Sequence, residues 1–202
     1  MSKEIFLIDA NSLITPHLTF YPFDFAPGFW NQLERPIKDG RIVVLDMVKV
    51  EILHGNDSLK EWMEELDVGE YIDHREPCIL QKYGAILQHV QNSPCYKPAA
   101  LIEWSRESVA DPWLIATAAV YKYTLITFEE ANKGLNAKNP SKNAKIPDVA
   151  NEFGVKTEKL FYMVRELGLK LMQFFTKRME VENNLSLHPF LLSLLNSENY
   201  LL

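Results

Sequence analysis

Three short apolar runs, 5–8, 42–45 and 124–128, each stop at an acid: Asp9, Asp46, and the pair Glu129 and Glu130. None alternates with polar residues, so each predicts a strand buried on both faces, the pattern of a parallel sheet covered by helices. Between them, apolar residues recur at helical spacing. Phe29, Leu33 and Ile37 mark a helix over 28–38 that Asp39-Gly40 ends, and a second, apolar helix with Asp46 read as its N-cap runs until Gly55 stops it. Further helices are predicted over 81–91, broken by Asn92-Ser93-Pro94, over 99–106, and over 109–123, where Asp111-Pro112 reads as N-cap and N1. The residues 145–155 read as a short strand and turn leading to a helix, and 157–167 as a helix capped by Thr157 and closed by Gly168. Asn11 and Ser12 are read as a turn after the first strand. The result is an α/β domain over 1–168, followed by a tail, 169–202, expected to pack on the domain or on a second copy as a homodimer.

Composition narrows the class. The chain has 202 residues, 47% apolar and 24% charged, which is the make-up of an ordinary globule. A net charge of -6 argues against bulk attraction to nucleic acid, so any such binding needs a local basic patch. Residues 131–145 supply one: Lys133, Lys138, Lys142 and Lys145 with four asparagines and no acid, read as a flexible loop able to contact phosphates. Cys78 and Cys95 are too few for a zinc motif and fit reduced thiols, so a cytoplasmic location is expected, with no membrane span and no secretion signal. Six aromatics between Phe20 and Trp30 read either as cover for the sheet or as stacking platforms for bases. Eight acids within 56–76 read as a solvated face, and His54, His74 and His89 are assigned no role.

The acids at the strand ends carry the candidate chemistry, because ligands of parallel sheets bind at the carboxyl edge of the strands. Asp9 and Glu129 end buried strands, while Glu51 and Asp111 lie in helices expected at that same edge. Glu51 follows Met47 and Val48 by about one turn, placing a charge along an apolar face, where it needs a compensating partner. Four carboxylates brought together repel, and a divalent cation reverses the sign; oxygen-only ligands suit Mg²⁺ or Mn²⁺ rather than zinc. This points to metal-assisted phosphodiester hydrolysis. An aspartyl-phosphate phosphatase would want a second aspartate two residues after the first, and Asn11 stands there.

The ordered set F-L-I-D-A-N-S at 6–12, V-K-V-E-I-L at 48–53, A-D-P-W-L-I-A-T-A at 110–118 and T-L-I-T-F-E at 124–129 resembles the PIN-domain nucleases over roughly residues 4–167. The resemblance implies a three-layer α/β/α sandwich around a central parallel sheet, and cleavage of RNA, often as the toxin of a toxin-antitoxin pair with an antitoxin protein as partner. It places Asp9, Glu51 and Asp111 at the first three acidic positions and Glu129 at the fourth, usually an aspartate, with Glu130 as the alternative. It also places Asn11 and Thr127 as supporting polar groups behind the metal ligands. A non-catalytic RNA- or protein-binding module on the same scaffold stays open as the alternative.

Overall fold

A computed structural model describes residues 3–66, 68 and 71–170. The chain runs β1 (Phe6–Ile8), α1 (Asn11–Thr19), α2 (Pro27–Lys38), β2 (Ile42–Val43), α3 (Asp46–Leu53), α4 (Ser58–Glu65) and α5 (Pro77–Asn92). It continues through α6 (Pro98–Trp104), α7 (Asp111–Tyr121), β3 (Thr124–Ile126), α8 (Ile146–Glu152), β4 (Thr157–Glu158) and α9 (Leu160–Glu166). The strands form one parallel sheet in the order β2-β1-β3-β4, flanked by helices as a three-layer α/β/α sandwich. β1 sits at the centre, with Leu7 opposite Val43 on one side and Leu125 on the other.

Phe6, Leu7 and Ile8 are almost wholly enclosed, as are Leu125 and Ile126, which explains the absence of alternation. Enclosing each such side chain stabilises the fold by about 1.5–3 kcal/mol, so the central pair of strands anchors everything around it. The chain leaves β1 for β2 on one side and reaches β3 on the other, so the strand order reverses between β1 and β3. In sheets of this kind the crevice at the carboxyl end of that reversal is where ligands bind. Asp9 and Thr127, the residues just beyond β1 and β3, stand at its mouth.

Several boundaries differ from the sequence reading. Asn11 opens helix α1 directly instead of lying in a turn; Ser12 N–H and Leu13 N–H bond back to the Asp9 and Ala10 carbonyls, and Pro16 sits inside the helix. Asp46 is the first residue of α3, not its N-cap, and Asp111 the first residue of α7 after Ala110, with Pro112 next. No strand forms at 145–155. Ile146-Pro147 starts α8 instead, and Thr157, expected as a helix cap, belongs to β4, whose Glu158 carbonyl accepts from Thr127 N–H. Gly154 and Gly168 each adopt positive φ, +66° and +68°, where a side chain would be strained, and so end α8 and α9.

The aromatic stretch turns out to be chiefly structural. Tyr21 stacks on Phe29 and Phe23 on Trp30, each at 4.4 Å, and Trp62 closes against Trp30 at 5.2 Å. Trp30 Nε1 donates to the Tyr21 carbonyl at 2.8 Å, so even the indole nitrogen is used inside the fold. Phe20 and Phe25 remain outward. The compact unit ends at Leu169, and the expected packing of the tail, 169–202, falls almost wholly outside the described residues. Among those residues, no helix is long and apolar enough to cross a membrane.

Candidate metal centre at the sheet edge

Asp9 follows β1 without a break: its N–H donates to the Ile126 carbonyl at 3.0 Å, fixing the residue against β3. Its side chain is 4% exposed. Thr127, also enclosed, donates its hydroxyl to Asp9 Oδ2 at 3.0 Å, and Thr127 Oγ1 in turn accepts the Glu129 N–H at 3.1 Å. Ser12 donates to the Ile126 carbonyl at 3.1 Å and ties the start of α1 to the same strand. A side chain so held has one orientation. Asn11 meets Asp9 through its backbone N–H, while its own side chain faces solvent.

Burial pushes the Asp9 carboxyl up to about 6; the Thr127 hydroxyl and Asn11 N–H oppose this, and the charges of Glu51 and Glu129 add to it. Asp111, at the start of α7, is pushed up to about 7, first by burial, then by the charges of Glu129 and Asp9, with Lys145 opposing and Glu51 adding. Glu51 on α3 is raised by desolvation, with His54 opposing. The four acids separated along the chain therefore influence one another electrostatically, although no three of them bring ligand-type atoms within 4.8 Å of one another.

They are not equally available. Glu129 has both carboxylate oxygens engaged: Lys145 Nζ bonds Oε1 at 2.5 Å, and Ile146 N–H, the first of α8, bonds Oε2 at 2.7 Å. Lys145 was expected on the substrate side of a flexible loop. Instead it sits half-buried beside Glu129 and Asp111, because extended backbone at the start of α8 points its ammonium into the acidic crevice. Glu130, the alternative fourth acid, turns outward to Lys159 at 2.7 Å. Lys133, Lys138 and Lys142 are exposed. Their loop is not loose. Asn132 N–H bonds Asp148, Asn136 Oδ1 accepts from Lys138 and Asn139 N–H, and Ser141 exchanges backbone bonds with Cys95 and Lys97.

Removing the Lys145 ammonium isolates its contribution. Lys145→Met is expected to lower the stability of the metal-free protein by about 1 kcal/mol, the range of a part-exposed pair. The same variant should gain more in melting temperature from added Mn²⁺ than the parent does, since a competing cation has gone. Thermal scans with Mn²⁺ and with chelator measure both.

A second constellation was not anticipated. Asp46, Asp73 and His74 bring ligand-type atoms within 4.8 Å of one another, the one such group of three among the described residues. Asp46 is committed there: Oδ2 meets His74 Nδ1 at 2.7 Å, and Oδ1 accepts Met47 N–H and His74 N–H. Asp73 is drawn to Arg75 instead. The arrangement orients an imidazole and resembles no closed metal cage. Sequence reading left His74 without a role because its partner lies 28 positions away.

No curated protein matches the chain. The matched family model spans residues 6–171, from β1 to just past α9, and takes in the whole acidic edge; the chain therefore belongs to the family described as a domain of unknown function, DUF4411.

Proposed function

We propose that this chain is a metal-dependent endoribonuclease that hydrolyses RNA phosphodiester bonds, in the manner of the PIN-domain nucleases its motifs resemble. The observation that carries the reading is the meeting of buried Asp9 and half-buried Asp111 at the sheet's carboxyl edge: they come from elements a hundred residues apart, and the charge of Asp9 helps to raise the Asp111 carboxyl. Two such groups in one crevice are unfavourable without a cation. The donor set is all oxygen, which fits Mg²⁺ or Mn²⁺. Asp9, Asp111 and Glu51 would hold the ion, with Glu129 balancing Lys145 at its side. When bound, such an ion lowers the pKa of a coordinated water and neutralises phosphate charge.

The chain's own groups divide the remaining work. Thr127 holds Asp9 in one orientation, as groups behind metal ligands do. Lys145 keeps positive charge against Asp111, and the exposed Lys133, Lys138 and Lys142 border the crevice's loop, where phosphates of an RNA strand are attracted. The deciding experiment pairs calorimetric titration of Mg²⁺ and Mn²⁺ with cleavage of a fluorophore-quencher RNA. Binding of either ion, with cleavage reduced at least about a thousandfold in Asp9→Asn, supports the reading. A parent protein that binds neither ion, or an Asp9→Asn variant that cuts at the parent rate, overturns it.

A further inference from the structure

Beside the acidic edge lies a cavity of about 260 Å³ that the proposed reaction leaves unused. Glu51 belongs to its wall, so it is continuous with the candidate metal centre. Met47 and Val50 give it an apolar side, and His54, His74, Glu107 and Ser108 line the rest. Drug-sized ligands take cavities from about 300 Å³ upward, so this one suits a single flat ring system.

His74 is fixed in that wall more firmly than a surface histidine needs to be. Its Nδ1 is bound to Asp46 at 2.7 Å, its backbone N–H meets the other oxygen of the same carboxylate at 3.3 Å, and its ring packs edge-on against Trp113 at 4.8 Å. Trp113 is itself stacked on Tyr83 at 3.6 Å. With Nδ1 donating to Asp46, Nε2 of the neutral imidazole is left as a hydrogen-bond acceptor. Glu107 is a second acceptor on the same lining. An exocyclic amino group brings two N–H donors and satisfies both; uracil offers one ring N–H flanked by two carbonyl oxygens and can satisfy only one.

We propose that this cavity is a nucleobase subsite, in which His74, oriented by Asp46 and Trp113, and Glu107 select the amino-bearing base of the nucleotide next to the phosphate held at Asp9, Glu51 and Asp111. The assignment of the phosphate position rests on the nuclease reading, whereas binding of the base does not need the metal. That separation makes the test possible. Isotope-labelled full-length protein is titrated, without added metal, with adenosine, cytidine, uridine and ribose, following the His74 imidazole and the Trp113 indole N–H by two-dimensional NMR.

Cytidine and adenosine are expected to bind about tenfold more tightly than uridine or ribose, the value of one good hydrogen bond to a charged group. His74→Ala removes that preference. Glu107→Gln, at an exposed position that leaves the packing of His74 intact, narrows the gap between cytidine and uridine. Nucleosides that bind no better than ribose, or a preference that survives Glu107→Gln unchanged, overturn the subsite. Failure of the calorimetric metal titration would instead remove the nuclease reading and leave the base preference as measured.

Discussion

Replacing Asp111 by asparagine is expected to raise the melting temperature of the metal-free protein at pH 8 and, in the same variant, to abolish metal-dependent RNA cleavage. The two halves follow from one fact. Asp111 is half-buried among like charges and its carboxyl is pushed up to about 7, so at pH 8 the fold must hold a charge that it disfavours. Each tenfold change in proton affinity corresponds to about 1.4 kcal/mol, so the rise from 3.8 to about 7 sets a ceiling of about 4 kcal/mol on the gain from neutralisation. One effect opposes it. Asp111 is the first residue of α7, and losing a negative charge at a helix start costs about 0.3–1 kcal/mol. The desolvation effect is larger, so the net shift is upward, by about 2–4 °C for each kcal/mol in a domain of this size.

At pH 5 the folded parent is already protonated at that position, so most of the difference between the two proteins should close. Cleavage should fall at least about a thousandfold, because asparagine offers a neutral oxygen where a cation needs charge. Scanning calorimetry at both pH values and a cleavage assay with Mn²⁺ measure these effects. A variant less stable than the parent at pH 8 with activity intact would show Asp111 to be a helix-start residue and nothing more. The trade of stability for a charged crevice is the usual mark of a functional site.

Asp9 and Asp111 were legible from sequence because their signal is local: a buried run that stops at an acid, and an acid opening a helix whose next turn is apolar. β1, β3 and the helices with clear spacing were legible for the same reason. Where the deciding interaction is distant, local pattern failed. β4 is two residues long and exists because Leu125 and Ile126 offer it an edge, so Thr157 looked like a helix cap. Helix α1 was hidden by Pro16, which normally argues against a helix interior, and is tolerated here six residues from the start. Lys145 looked like one of four loop lysines; only the turn into α8 aims it at Glu129. Asp46 looked like a cap, and its real use, holding His74, depends on a segment running in parallel past Leu45 at Ile72.

The metal-free protein is also expected to lose stability as pH rises from 5 to 8, and Mn²⁺ to restore it most at the alkaline end. Asp9 and Asp111 titrate near 6 and 7 in the fold, against about 3.8 for the free side chain. Between those values the folded state holds protons that the unfolded chain has released, so stability is full below about pH 4 and falls as pH rises through the folded values. Glu51 and Asp148, also raised by burial, act in the same direction. Glu4 and Asp73 are shifted downward, by hydrogen bonds and positive neighbours, and their contribution is complete by pH 5. The pair should cost on the order of 3 kcal/mol across the window, discounted from the sum because each value already contains repulsion by the other. A cation at 100 times its dissociation constant returns about 2.7 kcal/mol, and it competes with protons, so its effect grows with pH. Thermal unfolding at pH 5 and pH 8, with chelator and with Mn²⁺, reads all four states. The control is the double variant Asp9→Asn/Asp111→Asn, in which most of the decline and of its rescue should disappear. If the double variant declines as steeply as the parent, the dependence belongs to other groups, and the two carboxylates do not form the charged crevice on which a bound cation depends.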